Sequence, residues 1–299
     1  MQGHEGDAYR QVTLKIEDWG QSSIYNAGML IAFQGEPGAY SEAAALTYAP
    51  SGQVLPCPSF EEVFAAVADE RATHGILPME NSIGGSIHRN YDLLIDHVLP
   101  IVGEVELRVD HCLLGLPGTT LQDVRVVYSH PQALAQCEKA LAEMRDVEVV
   151  AVYDTAGAAK MVREGGRADA AAVASHRAGD VFGLSVLRES IQDFADNITR
   201  FCVIAKEAPE IPGANKTSIV FALHSRPGAL FKALAGFALR DINLTKLESR
   251  PLRGRPWEYA FYVDVEVPRT HPGCERALAD LVEFSHWVRT LGSYRAWKP

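Results

Sequence analysis

Short apolar runs, each followed by a pattern that starts a helix, recur over the first two thirds of the chain and restrict what it can fold into. Runs of this length with β-branched members are typical of buried strands. The predicted strands cover residues 30–33, 75–78, 124–128, 147–152, 170–174 and 201–205. Strands that alternate with helices indicate an α/β fold with a largely parallel sheet.

Helix starts are signalled between these strands. Ser41, Pro131 and Thr155 each stand where a helical pattern begins, and a capping hydroxyl or a proline is favoured at that position. Ser59 and Glu62 form an S-x-x-E capping box, in which each side chain satisfies a main-chain N–H group at the start of the helix. The sequence therefore predicts helices between the strands, as an α/β fold requires.

The pattern changes twice along the chain. Residues 1–28 show no sustained period and are expected to form a loose N-terminal extension, so the α/β body covers residues 29–207. Pro, Gly and Asn in "EAPEIPGANK" predict a linker over residues 208–216. Beyond it, residues 217–297 follow the order β-α-β-β-α-β, which is the ferredoxin-like arrangement. A small unit of this kind behind an α/β body suggests a regulatory or dimerising module by analogy of architecture.

Composition limits the partners of the chain. Its formal net charge is −10, whereas nucleic acids and anionic membranes attract proteins chiefly through clustered Lys and Arg, so neither is an expected partner. No run approaches the roughly 18–20 apolar residues of a membrane span. The acid-containing N-terminus lacks the apolar core of a secretory signal. Five scattered cysteines without a C-x-x-C motif predict reduced thiols and a cytoplasmic location.

Polar loops follow several predicted strands. "PMENSIGGSIH" carries Asn81, Ser82 and Ser86, and "SHPQALAQC" carries Ser129 and Gln136. Ligands of open α/β sheets bind outside the carboxyl ends of the strands, so we expect these loops to converge on one cleft. Amides and hydroxyls with few acids predict a polar, neutral pocket for an anion. For each residue taken alone, the alternative is a capping or turn-forming role.

Two polar residues, Thr199 and Arg200, directly precede the apolar run 201–205. We expect this run to be a core strand that presents both side chains to the cleft. The forked guanidinium of Arg200 suits a substrate carboxylate. The alternative for Arg200 is an ion pair with Asp193 or Asp196.

Motifs for cofactors and metals are absent from the sequence. No G-x-G-x-x-G or P-loop occurs, which argues against a dinucleotide or a nucleoside triphosphate. The histidines considered show no H-E-x-x-H or comparable pattern, and we expect them to pack in the core or lie on the surface: His74, His88, His97, His111, His130 and His176. His130, next to Ser129, is the one most suited to a role in the cleft. We therefore expect no metal and no cofactor.

Several long motifs, in order, resemble prephenate dehydratase with its C-terminal ACT domain. They are "FQGEPGAYSEAA", "PMENSIGGSIHRNYDLL", "SHPQALAQCE", "DTAGAA", "NITRF" and "GALFKALAGFALRDINLTKLESRP". The wording "GGSIHRNYDLL" and "GEVELRVDHCLL" is similar to the arogenate dehydratases of plants. The resemblance runs from about residue 29 to the end. It implies a bilobed, periplasmic-binding-protein-like catalytic domain, with a second lobe over about residues 107–185, and an ACT domain over residues 217–297.

The resemblance also implies a reaction. Prephenate would lose carbon dioxide and water to give phenylpyruvate on the route to L-phenylalanine, or arogenate would give L-phenylalanine directly, with feedback control by L-phenylalanine. The sequence does not decide between the two substrates. A different class, a non-catalytic amino-acid-sensing protein, would share the cleft and the tail. A prephenate dehydrogenase is disfavoured because the dinucleotide fingerprint is missing.

Site residues follow from the same resemblance. The implied catalytic residues are Thr199, Arg200, Asn81, Ser129 and Gln136, and the implied substrate-binding residues are Ser41, Ser82, Ser86 and Phe201. The implied L-phenylalanine-binding residues are Gly228, Ala229, Leu230, Glu248, Ser249 and Arg250. Thr199 matches the threonine that assists the leaving hydroxyl, and a hydrogen bond is the role that suits its weak acidity. Tight binding of the ring carboxylate in the ground state would slow the loss of carbon dioxide, so we expect Arg200 to bind the pyruvyl carboxylate.

The tail of the chain carries two further expectations. "SRPLRGRP" could instead be a solvated basic loop with no part in effector binding. ACT domains usually pair side by side, so a homodimer or homotetramer is expected.

Overall fold

The computed structural model describes residues 28–298, and within that part of the chain it forms three sheets. The N-terminal extension predicted for residues 1–28 lies outside the described residues except for its last one. Two of the sheets form the two lobes of the body, and the third belongs to the C-terminal unit. The bilobed α/β body and the ferredoxin-like tail are therefore confirmed.

The first lobe contains six strands and three helices. They are β1 (Leu30–Gln34), α1 (Tyr40–Tyr48), β2 (Gln53–Cys57), α2 (Phe60–Ala68), β3 (His74–Asn81), β4 (Gly85–Ser86), α3 (His88–Asp96), β5 (Ile101–Arg108) and β11 (Ile198–Ala205). The strand order is β2-β1-β3-β11-β5, with β4 beside β3. β11 returns from the second lobe and runs antiparallel to both β3 and β5.

The second lobe is built from the intervening segment. It contains β6 (Cys112–Gly115), β7 (Val126–Ser129), α4 (Pro131–Gln136), α5 (Glu138–Ala142), β8 (Glu148–Ala151), α6 (Thr155–Gly165), β9 (Ala170–Ala174), α7 (His176–Phe182) and β10 (Ser185–Arg188). The strand order is β10-β6-β9-β7-β8. The chain crosses between the lobes at residues 109–111 and 189–197, and we call these segments the two crossings.

The C-terminal unit packs against the first lobe. It contains β12 (Lys216–Leu223), α8 (Ala229–Ala238), β13 (Leu244–Pro251), β14 (Tyr259–Val265), α9 (Pro272–Phe284) and β15 (Ser285–Tyr294), in the sheet order β13-β14-β12-β15. Phe221 and Val263 face the two helices. Val220 and Tyr262 face the other way and share a core with Cys202 and Ile204 of β11. The sheet is thus covered on one face by its own helices and on the other by the first lobe.

Both sheets of the body are mixed, so the expectation of a largely parallel sheet is wrong. β2, β1 and β3 are parallel, and so are β8, β7 and β9. β11 and β6 run against their neighbours, since each enters its sheet just after the chain has crossed from the other lobe.

Helix starts agree with the sequence in part. Ser59 accepts a hydrogen bond from the Glu62 N–H at 3.2 Å, which is one of the two bonds of the predicted capping box. The Glu62 carboxylate pairs instead with Arg71 at 2.7 Å. Helix α6 is capped by Asp154 and not by Thr155. Helix α1 begins two residues earlier than predicted, after Ala39, so Ser41 is not its cap. In the part of the chain described here, no helix is long and apolar enough to cross a membrane.

Candidate active site

Thr199 and Asn81 face each other across the β11–β3 pair. The Asn81 Nδ2 donates to Thr199 Oγ1 at 2.9 Å and to Asn197 Oδ1 at 2.6 Å. The Asn81 Oδ1 accepts from the main-chain N–H groups of Ile83 at 3.1 Å and Gly84 at 2.7 Å. Strand β3 and the loop that follows it therefore hold the Asn81 amide in one orientation beside Thr199.

Gln136 and His111, which lie outside the first lobe, complete the arrangement around Asn81 and Thr199. Gln136, the last residue of α4, has its Oε1 3.0 Å from Asn197 Nδ2 and 3.0 Å from His111 Nε2. Its Nε2 lies 3.4 Å from Asn81 Oδ1. The members are all less than a tenth exposed, and we call them the interlobe network: Asn81, His111, Gln136, Asn197 and Thr199. The network joins both lobes through uncharged side chains.

The direction of each hydrogen bond follows from the two main-chain donors at Ile83 and Gly84. Because an N–H group can only donate, it fixes the oxygen of the Asn81 amide and therefore its nitrogen. The nitrogen then donates to Thr199 Oγ1, which acts as the acceptor. The proton of the Thr199 hydroxyl is consequently directed away from Asn81.

The lobes meet directly elsewhere in the cleft. Ser175 Oγ, at the start of α7, donates to the Gly38 carbonyl at 2.8 Å, and Arg177 Nε lies 2.7 Å from Glu42 Oε2. Gly38 has φ +91°, and a Cβ added there would lie 2.7 Å from the Ala178 Cα. A side chain at position 38 would therefore force the lobes apart. The two lobes are therefore in direct contact at this position.

Other predicted site residues have structural contacts. Ser129 Oγ donates to the Val173 carbonyl at 2.6 Å and is fully buried, so it is not part of the network. Phe201 is 1 % exposed and packs in the core of the two lobes. Ser82 Oγ donates to the Asp196 carbonyl at 2.7 Å and fastens the loop to the second crossing. Ser41 lies buried in the first turn of α1.

Arg200 does not share the cleft with Thr199, which corrects the prediction. Successive side chains of a strand point to opposite faces of the sheet. Arg200 therefore lies on the face that meets the C-terminal unit. Its Nε is 2.7 Å from Glu80 Oε1, and its Nη1 is 2.7 Å from Asp264 Oδ2. Its partners are Glu80, Glu104 and Asp264, and neither Asp193 nor Asp196 is among them.

Arg200 belongs to an interdomain charge cluster, which consists of Glu80, Glu104, Arg200, Lys216, Lys246 and Asp264. Burial alone would raise the pKa of Asp264, but Arg200 and Lys216 hold that pKa below its ordinary value. Burial opposes the charge of Glu80 too, and Arg200 and Lys246 lower the pKa of this carboxyl. The cluster thus ties β11 and β3 to the C-terminal sheet by paired charges.

The predicted effector residues lie in two places. Glu248 Oε2 accepts from Ser86 Oγ at 2.7 Å, and Arg250 Nη2 lies 3.3 Å from Asp92 Oδ2. Both side chains therefore point at the first lobe, whereas Ser249 pairs with Phe261 on the helix-facing side of the sheet. Gly228, with φ +75°, caps α8, and Ala229 and Leu230 form the first turn of that helix. Within one chain the two groups are not brought together.

The chemistry available in the interlobe network is that of neutral donors and acceptors. Burial lowers the pKa of His111, so the imidazole is neutral at neutral pH. Burial likewise raises the pKa of Tyr40, whose hydroxyl lies 3.1 Å from His111 Nδ1. Among residues 28–298, no group of three or more His, Cys, Asp and Glu could hold a metal ion.

Sequence reasoning missed His111, Asn197 and Tyr40. Asn197 precedes Thr199 in "NITRF", which was a usable signal, but nothing local distinguishes His111 from the other histidines. His130, expected to be the best candidate, caps α4 by accepting from the Gln132 N–H at 3.2 Å. Only the folded chain brings His111 to Gln136.

Comparison with known proteins gives relatives over most of the chain. The arogenate dehydratase/prephenate dehydratase 2 of Arabidopsis thaliana is 52% identical over 88% of this chain and 72% of its own. A solved prephenate dehydratase from Arthrobacter aurescens, in complex with L-Phe, is 31% identical with a TM-score of 0.81, over 89% of this chain and 90% of its own. A solved quorum quenching acylase is 42% identical with a TM-score of 0.83, over 90% and 98%.

The cytoplasmic location predicted from sequence is wrong by this comparison. The Arabidopsis thaliana relative is chloroplastic, and so are three others from that plant, which are 48%, 46% and 45% identical to this chain. Reduced thiols and the lack of a secretory signal separate secreted proteins from others. They carry no information that separates one interior compartment from another.

Family profiles agree with the lobes and with the C-terminal unit. The prephenate dehydratase profile matches residues 31–209, which include every member of the interlobe network. The ACT domain profile matches residues 217–272, which include Glu248 and Arg250. The chain therefore belongs to the prephenate dehydratase family and carries a C-terminal ACT domain.

Proposed function

We propose that the protein converts prephenate to phenylpyruvate, or arogenate to L-phenylalanine, by decarboxylating dehydration. Relatives named for both activities support both substrates. The ring carboxylate leaves as carbon dioxide, and its bonding electron pair becomes part of the aromatic ring. The ring hydroxyl takes up one proton and leaves as water. Aromatisation drives the reaction, so the protein has to hold the substrate and assist the leaving hydroxyl.

The orientation of the Thr199 hydroxyl is the observation that carries the proposal. Its oxygen accepts from Asn81, so its own proton is free to hydrogen-bond the leaving oxygen of the substrate. A threonine hydroxyl is a poor acid, and its role is a hydrogen bond that strengthens as negative charge develops. A preorganised donor of this kind contributes about 2.7–4 kcal/mol in an oxyanion hole.

Neutral donors bind the substrate carboxylates in this proposal. Arg200 is occupied by Glu80 and Asp264, so it does not serve them. The first turn of α1 offers the Ser41 hydroxyl and main-chain N–H groups at the positive end of the helix dipole. Neutral donors also suit the chemistry. A guanidinium on the ring carboxylate would stabilise the ground state and slow the loss of carbon dioxide.

Turnover of the two substrates tests the proposal. The purified protein is incubated with prephenate and with arogenate, and phenylpyruvate and L-phenylalanine are measured. Formation of either product supports the proposal. Binding of both substrates without turnover of either would instead support the sensing alternative.

Acyl hydrolysis is a second candidate, favoured by the 42% identity to a quorum quenching acylase. Hydrolysis of an amide requires a nucleophile and a base that removes its proton. The partner of the Thr199 hydroxyl is an amide donor, and the His111 ring is bonded to Gln136 and Tyr40. The geometry therefore supports the dehydratase better, and assay of an acyl amide beside prephenate separates the two.

The ACT domain is proposed to bind L-phenylalanine and to exert feedback inhibition. The L-Phe complex of the Arthrobacter aurescens relative supports this effector. We also propose a homodimer or homotetramer through this domain, because large apolar side chains are exposed on Phe231 of α8, on Leu239 directly after α8 and on Val282 of α9. Light scattering of the purified protein measures the mass, and a monomer at micromolar concentration contradicts the assembly.

A further inference from the structure

His111 lies where the chain passes from one lobe to the other. Its carbonyl accepts from the Ile191 N–H at 2.8 Å, and its N–H donates to Gln192 Oε1 at 2.9 Å. Ile191 and Gln192 belong to the second crossing, so the main chain at His111 joins the two crossings. Only 2% of the residue is exposed. The orientation of the imidazole therefore depends on how the lobes are set relative to each other.

The tautomer of His111 follows from the direction of the network. The Asn197 Nδ2 donates to Gln136 Oε1, so the atom of Gln136 that faces His111 is an acceptor. The His111 Nε2 must therefore carry a proton and donate it to Gln136. On the other side of the ring, Nδ1 lies 3.1 Å from the Tyr40 hydroxyl, which is also 2.6 Å from the Asp110 carbonyl.

The contacts of His111 therefore reach Thr199 through two amides. His111 donates a hydrogen bond to the Gln136 oxygen. Gln136 is hydrogen-bonded to both Asn81 and Asn197. Asn81 in turn donates to the hydroxyl of Thr199. Without the His111 donor, the buried Gln136 oxygen would keep Asn197 as its one remaining donor. The Gln136 amide would then be held less firmly, and its own contact with the Asn81 oxygen, beside the Asn81–Thr199 pair, would weaken.

We propose that His111 is a positioning residue for the dehydration, which orients the Thr199 hydroxyl through Gln136 and Asn81 when the lobes close. This inference rests on the proposed function. His111 itself does not touch Thr199 and takes no proton from the substrate. Its contribution is the Nε2–H donor, supplied at the junction of the lobes.

Three substitutions of His111 test the Nε2–H donor. His111→Gln can place an amide N–H near the position of Nε2, whereas the shorter His111→Asn reaches only as far as Nδ1. His111→Phe keeps the ring, which packs edge-on against Tyr40 at 5.5 Å between centroids. His97→Phe is the matched control, because His97 stacks on Phe64 and belongs to a different part of the first lobe.

Steady-state kinetics with the preferred substrate and thermal unfolding are measured for each variant. We expect kcat of His111→Phe and His111→Asn to fall at least about tenfold, or about 1.4 kcal/mol. KM should stay within about threefold of wild type, because the lost interaction acts in the transition state. His111→Gln should recover most of the lost kcat, and His97→Phe should match the wild type.

Equal kcat values for the Gln and Asn variants would overturn the inference, even where His111→Phe fails to fold. Wild-type kcat in His111→Phe would overturn it as well. Wild-type protein that turns over neither substrate contradicts the proposed function itself. The two failures are therefore distinguishable.

Discussion

At the scale of single residues, the Thr199 hydroxyl is the group on which the proposed chemistry depends. Thr199→Val keeps the shape of the side chain and removes the hydrogen bond. We expect kcat to fall by a factor of about 10²–10³, as for the loss of one oxyanion donor. Thr199→Ser, which keeps the hydroxyl, should lose much less. Stopped assays give kcat, and calorimetry with a slowly converted substrate gives affinity.

Thr47→Val is the control for this change. Thr47 lies on α1 and donates to the Ala43 carbonyl at 2.8 Å, outside the network. The Thr47→Val variant should therefore have the kcat and KM of the wild type. Full activity of Thr199→Val would contradict the role of the hydroxyl, and loss of substrate affinity alone would indicate a binding role instead.

Sequence reasoning brought together part of the site. The order of the motifs, and the rule that ligands of open α/β sheets bind at the carboxyl ends of the strands, predict Asn81, Gln136 and Thr199 near one cleft. All three lie in the interlobe network. Arg200 was placed on the wrong face, although strand alternation was available to exclude it. His111 could not be found, because its partner is on another lobe and the contact depends on how the lobes are set together.

At the scale of elements, β13 connects the ACT domain to the loop beside the site. Glu248 accepts from Ser86 in β4, and Arg250 pairs with Asp92 in α3. The loop between β3 and β4 supplies the N–H groups of Ile83 and Gly84 that fix Asn81. An effector that moves β13 would thus act on the orientation of Asn81.

Asp92→Asn tests this connection without altering a predicted effector residue. We expect activity without L-phenylalanine to stay within about twofold, and inhibition to weaken at least threefold, since interactions between neighbouring groups couple by about 0.5–3 kcal/mol. Calorimetry should show that L-phenylalanine still binds. The control is Asp96→Asn, because Asp96 is more exposed and lies 3.6 Å from Arg253. Unchanged inhibition in Asp92→Asn would exclude the route through Arg250.

The elements of the body were predictable in part, because six of its strands were predicted and five were not: β2, β4, β5, β6 and β10. Each predicted strand overlaps an observed one, and β11 begins at Ile198, three residues before the predicted start at Phe201. Residues 198–200 were not predicted as strand, because the polar residues among them interrupt the apolar pattern on which the prediction was based. β5 was missed for the same reason, since Glu104 and Glu106 interrupt it. The direction of each strand could not be predicted from local sequence patterns, because it depends on where the chain enters the sheet after crossing from the other lobe.

At the scale of the whole molecule, the catalytic body and the ACT domain share buried surface. Cys202 and Ile204 of β11 pack with Val220 and Tyr262 of the C-terminal sheet. The charge cluster lies at the same contact and spans both units. Composition at residues 208–216 predicted a linker, but a linker pattern carries no information on how closely the two units pack. The ACT domain is therefore expected to contribute to the stability of the body as well as to its control.

Asp264→Asn tests the shared interface through stability. The substitution leaves Arg200 and Lys216 buried without their shared carboxylate, and breaking a buried pair in this way costs about 3–5 kcal/mol. Because Arg200 and Lys216 hold the pKa of Asp264 below its ordinary value, its contribution is present above the unfolded-state pKa, near 4, and is lost as pH falls further. Urea unfolding gives the free energy of unfolding of the wild type and of Asp264→Asn. The difference between the two should be largest at neutral pH and should decrease below about pH 4. Glu70→Gln, which breaks the exposed pair with Lys206, should change stability little. A difference in the free energy of unfolding that does not vary with pH would mean that the variant loses stability through packing, because only the ionised carboxylate makes the difference depend on pH.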